Sequence, residues 1–517
     1  MNLSGFNKTF DYNNYLTIEA LEDGFTCIFP KNLEYGIDGQ GWKMLKGGVL
    51  SPPINAGQII SFRGDLTPGL GEGVGTFTIT KSCNLKGNCM SILFGDDAAN
   101  NLSLSCKNYV FKNLFQNCTT IKSISSGFLS ATTLADWCYY GMFEGCTGLT
   151  TPPVLPATTI GEYCYCNMFF GCTNLTQAPE LPATTLASDC YVYMFYGCTN
   201  LTQTPELPAT TLADYCYDCM FRGCTSLTTA PVLPATTLAS GCYDGMFQDC
   251  SSLAATPELP ATTLASDCYE YMFSGCTSLT TAPALPATTL ASGCYTAMFN
   301  GCTNLTNAPE LPATTLASDC YEYMFSGCTS LTTAPALPVT TLASGCYRGM
   351  FYGCTNLTQA PELPATTLAD CCYDCMFRGC TGLTQAPALP AMTLASSCYF
   401  GMFYGCTKLT QAPSLPATIL VASCYYYMFY GCTNLTTAPE LPATTLVSNC
   451  YISMFEGCSK LNYIKAMFTT TPSTSYTYKW VYGVASTGRF IKNRNATWNK
   501  TGTYAIPSGW SIQSAAQ

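Results

Sequence analysis

Cysteine is the residue that offers the most chemistry in this 517-residue chain, which has 35 cysteines and no histidine. Cys216 and Cys219 are separated by two residues, as are Cys372 and Cys375. This spacing suits tetrahedral zinc thiolate sites. Each pair would need two further ligands, however, and the most common one, histidine, is absent. We therefore predict no metal site and no cofactor.

Most of the cysteines recur in two columns, represented by Cys190 and Cys198, in a pattern that returns every 26 residues. The favoured interpretation is a ladder of buried, weakly polar thiols. Disulfides along or between the columns are the second interpretation, because adjacent coils of a repeat protein would bring the thiols within bonding range. Metal binding is the third. We interpret the additional cysteines as replacements at variable positions: Cys166, Cys219, Cys371 and Cys375.

Carboxylates are the remaining candidates for catalysis, because the lack of histidine removes the usual general base and every Ser-His or Cys-His pair. Paired carboxylates hydrolyse glycosidic bonds, and several lie near the N-terminus. Nothing in their spacing singles out a pair, so we predict no catalytic residues. A glycan-active enzyme is the minor alternative, and its candidate residues are Glu19, Glu22, Asp23, Glu34, Asp38, Asp65 and Glu72.

A second carboxylate pattern is a ladder that recurs with the repeat. Two interpretations of this ladder are possible: a row of calcium-binding carboxylates or a solvated acidic stripe. The stripe is favoured because most of the glutamates would lie two coils apart. The members are Glu180, Glu206, Glu258, Glu310, Glu362 and Glu440.

The 26-residue pattern is Cys-Tyr-x-x-Met-Phe-x-x-Cys, and its methionines run in steps of 26 from Met142 to Met454. Within one copy, Cys190, Met194 and Cys198 are spaced like one face of a short helix and should point inward. The following Leu201–Pro208 segment suits a brief strand that ends in a turn. The fold class is therefore a repeat solenoid with a short strand and a short helix per repeat. We assign structural roles to Cys190, Met194, Phe195, Cys198 and Leu201.

Three domains are predicted. Residues 1–104 alternate apolar and polar positions in short runs, at 25–29, 59–62 and 76–80, as a small β-domain does. Residues 105–463 form about fourteen repeats, the first of them degenerate. Residues 464–517 form a small cap with six cations and no carboxylate, namely Lys465, Lys479, Arg489, Lys492, Arg494 and Lys500.

The overall charge excludes some partners. Only 10% of the residues are charged and the net charge is -10, which argues against nucleic acid as a partner. The first ten residues do not have a basic start followed by an apolar run, so we expect no ordinary secretory signal. No stretch is long enough for a membrane span.

The order Met-Phe-x-x-Cys-x-x-Leu, followed by a Leu-Pro strand end, resembles the BspA-type leucine-rich repeats. The resemblance implies a solenoid with a surface, adhesive or host-interaction role. It also implies an origin in gut Bacteroidetes or their phages, where chains with such an N-terminal β-domain are typical.

A duplication indicates where a ligand would bind. Residues 258–309 and 310–361 differ at five positions, and two of the changes flank the methionine: Thr296 becomes Arg348, and Asn300 becomes Tyr352. On a helix these positions lie away from the buried face, so we expect them to be exposed. Exposed aromatic and arginine side chains are typical of interfaces. The predicted ligand-binding residues are Phe170, Tyr196, Arg222, Arg348, Tyr352, Arg378, Phe400, Tyr404, Tyr426 and Tyr430.

These observations predict a non-enzymatic recognition or adhesion protein that binds protein or carbohydrate on a cell surface. The expected setting is a phage virion, and the alternative is a bacterial surface or secreted adhesin. Attachment would use either the N-terminal domain or the basic C-terminal segment. A purely structural spacer is the third hypothesis, and the oligomeric state is not predicted.

Overall fold

The computed structural model describes residues 11–67 and 73–516. They form two compact bodies. The first body contains the described residues up to Ala235 together with Asp249–Leu253, and the second contains Thr236–Gln248 and the described residues from Ala254 onward. The ten N-terminal residues, on which the expectation about a secretory signal rests, lie outside the described residues, as does Glu72.

The regular elements of the first body are mostly short strands. Two 3-10 helices accompany them, at Tyr12–Asn14 and Gly95–Asn100. The strands and the one α-helix are β1 (Leu16–Ala20), β2 (Cys27–Ile28), β3 (Leu33–Ile37), β4 (Lys43–Leu45), β5 (Ile59–Arg63), β6 (Thr78–Ile79), β7 (Cys83–Lys86), α1 (Ser91–Phe94), β8 (Ser103–Leu104), β9 (Ile121–Ile124) and β10 (Thr133–Leu134).

The N-terminal strands form a six-stranded sheet in the order β4-β3-β5-β1-β7-β9. Its neighbours are antiparallel except for the last pair, β7 and β9, which is parallel. Strands β2 and β6 lie within two of the runs whose alternation predicted them, and β5 covers the third and extends one residue beyond it. Strand β9 comes from beyond residue 104, so the sheet extends past the predicted boundary at that residue. The boundary itself stays a prediction.

Each repeat begins with a series of tight turns, so the predicted short helix is wrong. In the repeat around Met194, the φ angles of Asp189, Tyr193 and Gly197 are 56°, 55° and 70°. The Met194 N–H donates to the carbonyl oxygen of Tyr191, three residues back, at 3.2 Å. An α-helix requires negative φ throughout and hydrogen bonds to the fourth residue back.

The other backbone donors of this segment reach the next repeat. The Tyr191 N–H donates to Cys216 O at 3.1 Å, and the Phe195 N–H donates to Met220 O at 2.9 Å. The backbone N–H groups of successive residues therefore alternate between closing a turn and bonding to the next repeat. This pattern satisfies the backbone hydrogen bonds without a helix. The resulting four-residue rhythm turns two side chains inward and the next two outward. In this repeat the inward side chains are Cys190, Tyr191, Met194, Phe195 and Cys198, and all are buried; Val192, at an outward position, is buried as well.

The core consists of columns of identical side chains. In the first body, the Phe169 and Phe195 rings stack at 5.6 Å, and the Tyr165 and Tyr191 rings also stack at 5.6 Å. Leu201 is fully buried beside them. The second body has the same two aromatic columns, which reach Tyr451 and Phe455. The repeat solenoid predicted from the sequence is thus confirmed. The tyrosine column is a core element that the sequence interpretation left out.

The second half of each repeat is extended and makes few sheet contacts. Single-residue parallel bridges join neighbouring repeats, such as Gln177 with Gln203 in the first body and Thr281 with Asn307 in the second. The predicted strand at Leu201–Pro208 is therefore reduced to one bridging residue, since the prolines of this segment cannot donate to a ladder.

The regular elements of the second body lie at its C-terminal end. They are β11 (Thr437–Leu441), β12 (Tyr463–Ala466), α2 (Thr474–Thr477), β13 (Arg489–Lys492) and β14 (Ser511–Ser514). The four strands form a parallel sheet in chain order. Strand β12 spans the predicted boundary between residues 463 and 464, so the parallel ladder continues into the segment predicted as a cap. The domain limits there stay a prediction.

Candidate functional site

The outward positions of each repeat lie two residues before, one residue before and two residues after the methionine. The ten predicted ligand-binding residues occupy the first and third of these positions. Nine of them are half-buried, and Tyr352 is 39% exposed. The expectation that Thr296 is exposed is wrong, because its side chain is buried and its hydroxyl donates to Asp319 O at 2.7 Å. Asn300 is half-buried.

One group of predicted residues forms a stack in the second body. The Arg378 guanidinium lies 4.1 Å from the Tyr404 ring centroid and 5.7 Å from that of Tyr352. The Tyr404 and Tyr430 rings are parallel and 4.4 Å apart. Stacked rings cover each other's faces, so this column presents ring edges and hydroxyl groups to solvent.

A parallel stack stands beside it, and a perpendicular ring joins the two. Phe400 and Tyr426 stack at 5.0 Å. The Tyr427 ring is nearly perpendicular to Tyr426, at 82° and 4.3 Å, and to Tyr430, at 76° and 5.7 Å. We call this group the tyrosine patch, and it consists of Tyr352, Arg378, Phe400, Tyr404, Tyr426, Tyr427 and Tyr430.

Two hydroxyl groups of the patch have raised pKa values. Burial, together with the hydrogen bond between Tyr426 and Tyr427, raises the pKa of Tyr426 to about 12. The neighbouring Tyr404 raises the pKa of Tyr430, with burial contributing next. Tyr426 and Tyr430 therefore offer neutral hydroxyls that can donate or accept hydrogen bonds, beside the cationic guanidinium of Arg378.

Tyr427 is the member of the patch that the sequence interpretation missed. Its backbone φ is 57°. The sequence interpretation considered only the two positions on either side of the methionine, because it assumed a helix. The same position carries tyrosine in other repeats, at Tyr193, Tyr271 and Tyr323, and this recurrence was the signal available.

Arg348 does not belong to the patch. Its guanidinium donates to the Glu322 carboxylate, with the Nε–Oε1 distance at 2.6 Å. Burial raises the pKa of Glu322, while the hydrogen bond from Arg348 acts in the opposite direction. Arg348 is therefore held by an intramolecular ion pair.

The remaining three predicted residues form a smaller stack in the first body. The Phe170 and Tyr196 rings are parallel at 4.7 Å, and the Arg222 guanidinium lies 5.6 Å from the Tyr196 centroid. Arg222 also pairs with the exposed Asp249 at 3.7 Å. A second aromatic cluster in this body was not predicted: Trp137 stacks on Tyr163 at 4.2 Å.

The carboxylates considered for catalysis are largely bound to other groups. Arg63 pairs with Glu34 at 2.8 Å and with Asp96 at 2.7 Å. Glu19 pairs with Lys86 at 2.6 Å. A carboxylate whose oxygens are occupied by a neighbouring cation is a poor general base, because those oxygens are not available to a substrate proton.

The column thiols are buried. None of the 35 cysteines, all of which lie within the described residues, forms a disulfide. Burial raises the pKa of the column thiol Cys198 to about 12, and it does the same for Cys166 and Cys375. Cys371 is half-buried, and its pKa is also raised by burial. Within residues 11–67 and 73–516, no three or more Cys, Asp or Glu side chains gather as metal ligands would. The members of the glutamate ladder are exposed.

Three of the six C-terminal cations have structural partners. Lys492 is buried, and its ammonium donates to Trp498 O at 2.9 Å. Lys465 pairs with Glu440 at 2.8 Å, and Lys479 lies 3.8 Å from Glu456. Fewer cations are therefore available for attachment than the composition of the segment predicts.

Comparison with known proteins gives one match. A sequence family described as BspA type Leucine rich repeat region (6 copies) matches residues 139–281, 246–384 and 397–480, which together cover more than half of the chain. The searches of curated proteins and of solved structures returned no match. In the described part of the chain, no helix has the length and apolar character that a membrane crossing requires. Because the family match and the repeat geometry agree, the chain belongs to the BspA-type leucine-rich repeat family.

Proposed function

We propose that this protein is a non-enzymatic recognition or adhesion protein, displayed on a surface, that binds protein or glycan through the tyrosine patch. Repeats of this type are consistent with a surface or adhesion protein, and a leucine-rich-repeat solenoid is typically non-enzymatic. The observation that carries the proposal is the convergence of four consecutive repeats, around Met350, Met376, Met402 and Met428, on one group of aromatic and arginine side chains.

The packing within the patch supports binding. Tyr404, Tyr430 and Arg378 hold one another in fixed positions through ring and guanidinium stacking. Such side chains lose little conformational entropy when a partner covers them, so more of the contact energy appears as affinity. The framework residues beneath them are the same in every repeat from Met142 to Met454, whereas this combination of outward residues occurs in one region.

The setting we propose is a phage virion, since the resemblance extends to the phages of gut Bacteroidetes. A bacterial surface or secreted adhesin is the alternative. Attachment would use residues 1–104 or the cationic C-terminal segment. Mass spectrometry of purified virus particles and of washed cell-surface fractions distinguishes the two settings, because the chain should be found in one fraction and not in the other.

Binding of the purified full chain to mucin-coated plates and to a panel of gut bacterial cells tests the role of the patch. Replacing both Tyr352 and Tyr404 with serine should raise the half-saturating concentration at least about ten-fold, as expected for loss of two interface anchors. The matched control replaces Tyr215 and Tyr271, two exposed tyrosines outside the patch. Equal binding by both double variants would support the structural-spacer hypothesis instead.

A further inference from the structure

At its C-terminal side the tyrosine patch opens into a cavity of about 410 Å³. The stack of rings ends at Tyr430, because the next repeat has Glu456 at the same position. At the position one residue before the methionine, one repeat has Tyr427 and the next repeat has the small Ser453. The following turn of chain carries Tyr478 and Lys479, which also line the cavity. Two small or polar positions thus leave a slot between aromatic walls.

Glu456 is the unusual group in this slot. Its side chain is only 13% exposed, and its nearest cation, the ammonium of Lys479, is 3.8 Å away, beyond hydrogen-bonding distance. Among the described residues, none donates a hydrogen bond to this carboxylate. The carboxylate oxygens therefore keep free acceptor sites toward the cavity, and a ligand that supplies hydroxyl donors would be stabilised there.

The charges of the slot limit what can enter it. Arg378 also lines the cavity, but its guanidinium is stacked on Tyr404 at 4.1 Å. At the open end of the slot, Glu456 repels an anion. Lys479, whose ammonium lies between the Tyr478 and Tyr482 rings at 5.6 Å and 5.5 Å, repels a cation. A neutral ligand with several hydroxyl groups meets neither penalty, and it can both donate to Glu456 and accept from Lys479.

The aromatic walls add a requirement for an apolar face. Tyr430 stacks on Tyr404 through one face of its ring, and among the described residues no ring stacks on its other face. A pyranose ring has one face of C–H groups that packs against aromatic rings and an equator of hydroxyl groups. The cavity volume accommodates one such ring with room for a linkage.

We infer that this slot binds a single neutral pyranose ring of a glycan, with its C–H face against Tyr430 and its hydroxyls donating to Glu456. The inference rests on the proposed recognition function, and it narrows the ligand of the patch to carbohydrate at this point.

Saturation-transfer NMR on the full chain tests the inference with the methyl glycosides of galactose, glucose, mannose and N-acetylglucosamine. N-acetylneuraminic acid and tetramethylammonium serve as the anionic and cationic probes. At least one neutral glycoside should give a saturable signal, and both charged probes should give none. Binding of a charged probe alone, or of no probe, would overturn the inference.

Two variants locate the site. Ser453→Tyr introduces the tyrosine that the preceding repeat carries at the equivalent position, Tyr427. The larger side chain should fill the slot and abolish the NMR signal. Glu456→Gln preserves the shape of the side chain and should weaken binding at least ten-fold, so the test remains decisive if the first variant folds poorly. The matched controls are Ala297→Tyr and Glu144→Gln, at the same repeat positions elsewhere, and both should leave the signal unchanged. Binding that persists in Glu456→Gln would also overturn the inference.

The experiments distinguish failure of the pyranose-slot inference from failure of the proposed recognition function. If no glycoside binds while the Tyr352 and Tyr404 double variant still loses surface attachment, the recognition function stands and the pyranose slot is wrong. If glycosides bind and Glu456→Gln removes them while the double variant attaches normally, the slot stands and the wider patch is not the recognition surface.

Discussion

The thiol of Cys224 donates a hydrogen bond to the carbonyl oxygen of Phe195 at 3.1 Å. The same oxygen accepts the backbone N–H of Cys198 at 3.1 Å. The second cysteine of each repeat therefore fills the remaining acceptor site of a buried carbonyl in the preceding repeat. This contact explains why a small, weakly polar donor recurs at the position.

Native thiol labelling should distinguish the cysteine columns from the few accessible thiols. Cys106 is the exposed cysteine and Cys371 is half-buried. The column thiols are buried, and burial raises their pKa values. The pKa of Cys198, the neighbour of Cys224 in its column, is raised to about 12. These thiols therefore carry almost no reactive thiolate at pH 8. With a disulfide-exchange reagent we expect rapid reaction at Cys106, slower reaction at Cys371 and none elsewhere.

Replacing Cys106 with serine should remove the rapid phase and nothing else. After unfolding in denaturant without reductant, all 35 thiols should react, since none forms a disulfide in the structure. A smaller total would show that the columns contain disulfides.

The left-handed backbone positions should determine the stability of each repeat. Gly327 has a φ of 73°, and a Cβ at this residue would lie 3.5 Å from the Cα and N of Gly301. Gly327→Ala should therefore destabilise the protein by about 1–2 kcal/mol, the usual penalty for this conformation. The change is measured as a shift in the urea midpoint.

Ser397 provides the reverse experiment, because it holds a φ of 53° without being glycine. Ser397→Gly should leave stability unchanged or raise it by up to about 1 kcal/mol, as relief of the left-handed strain outweighs the added freedom of the unfolded chain. Destabilisation by both substitutions would show that the side chain at these positions matters more than the backbone conformation.

The solenoid and its buried columns could be predicted from the sequence, because strict recurrence of Cys, Met, Phe and Leu indicates stacked coils. The local backbone could not. Cys190, Met194 and Cys198 are spaced by four, which fits both a helix and a chain of turns. A helix advances about 100° per residue, so positions eight apart drift by about 80°. One left-handed position is occupied here by Tyr193, whose type does not signal positive φ, and Asp189 at the other is enriched in that conformation but also common elsewhere.

The same ambiguity limited the prediction of the site. Two of three outward positions were identified because their residues vary between repeats. Tyr427 was missed because a helix would not place it beside Tyr426 on one surface. Glu456 and Lys479 were not predicted as site residues. They lie in successive coils, and the repeat length gives the number of coils between two residues but not the direction in which each side chain points.

Asp218 should make the first body sensitive to pH. Burial raises its pKa from 3.8 to about 6. The folded state therefore binds a proton more tightly than the unfolded state. Stability associated with this group is fully present below about pH 4 and is lost as the pH rises through 6. The shift corresponds to about 2–3 kcal/mol at most.

Asp218→Asn removes this titration. We expect the variant to be close to the parent protein at pH 4 and more stable at pH 8, with thermal midpoints compared at both values. Glu180→Gln, at an exposed carboxylate, is the control and should show no such difference. An Asp218→Asn variant that is less stable at pH 8 would indicate that the charged carboxylate has a stabilising partner.

Lys492 should stabilise the C-terminal end of the parallel sheet rather than serve as a surface charge. Its ammonium donates to Ala496 O at 3.1 Å, to Trp498 O at 2.9 Å and to Asn499 Oδ1 at 2.6 Å. Lys492→Met preserves most of the volume but leaves two buried carbonyls without a donor, a loss of about 2–3 kcal/mol. Hydrogen exchange should therefore accelerate in β13 and β14, while the buried repeats around Met298 and Met324 keep their protection.

The control, Lys500→Met, removes an exposed charge and should leave exchange unchanged. Equal protection of β13 and β14 in both variants would mean that the buried ammonium is not what holds this end of the sheet.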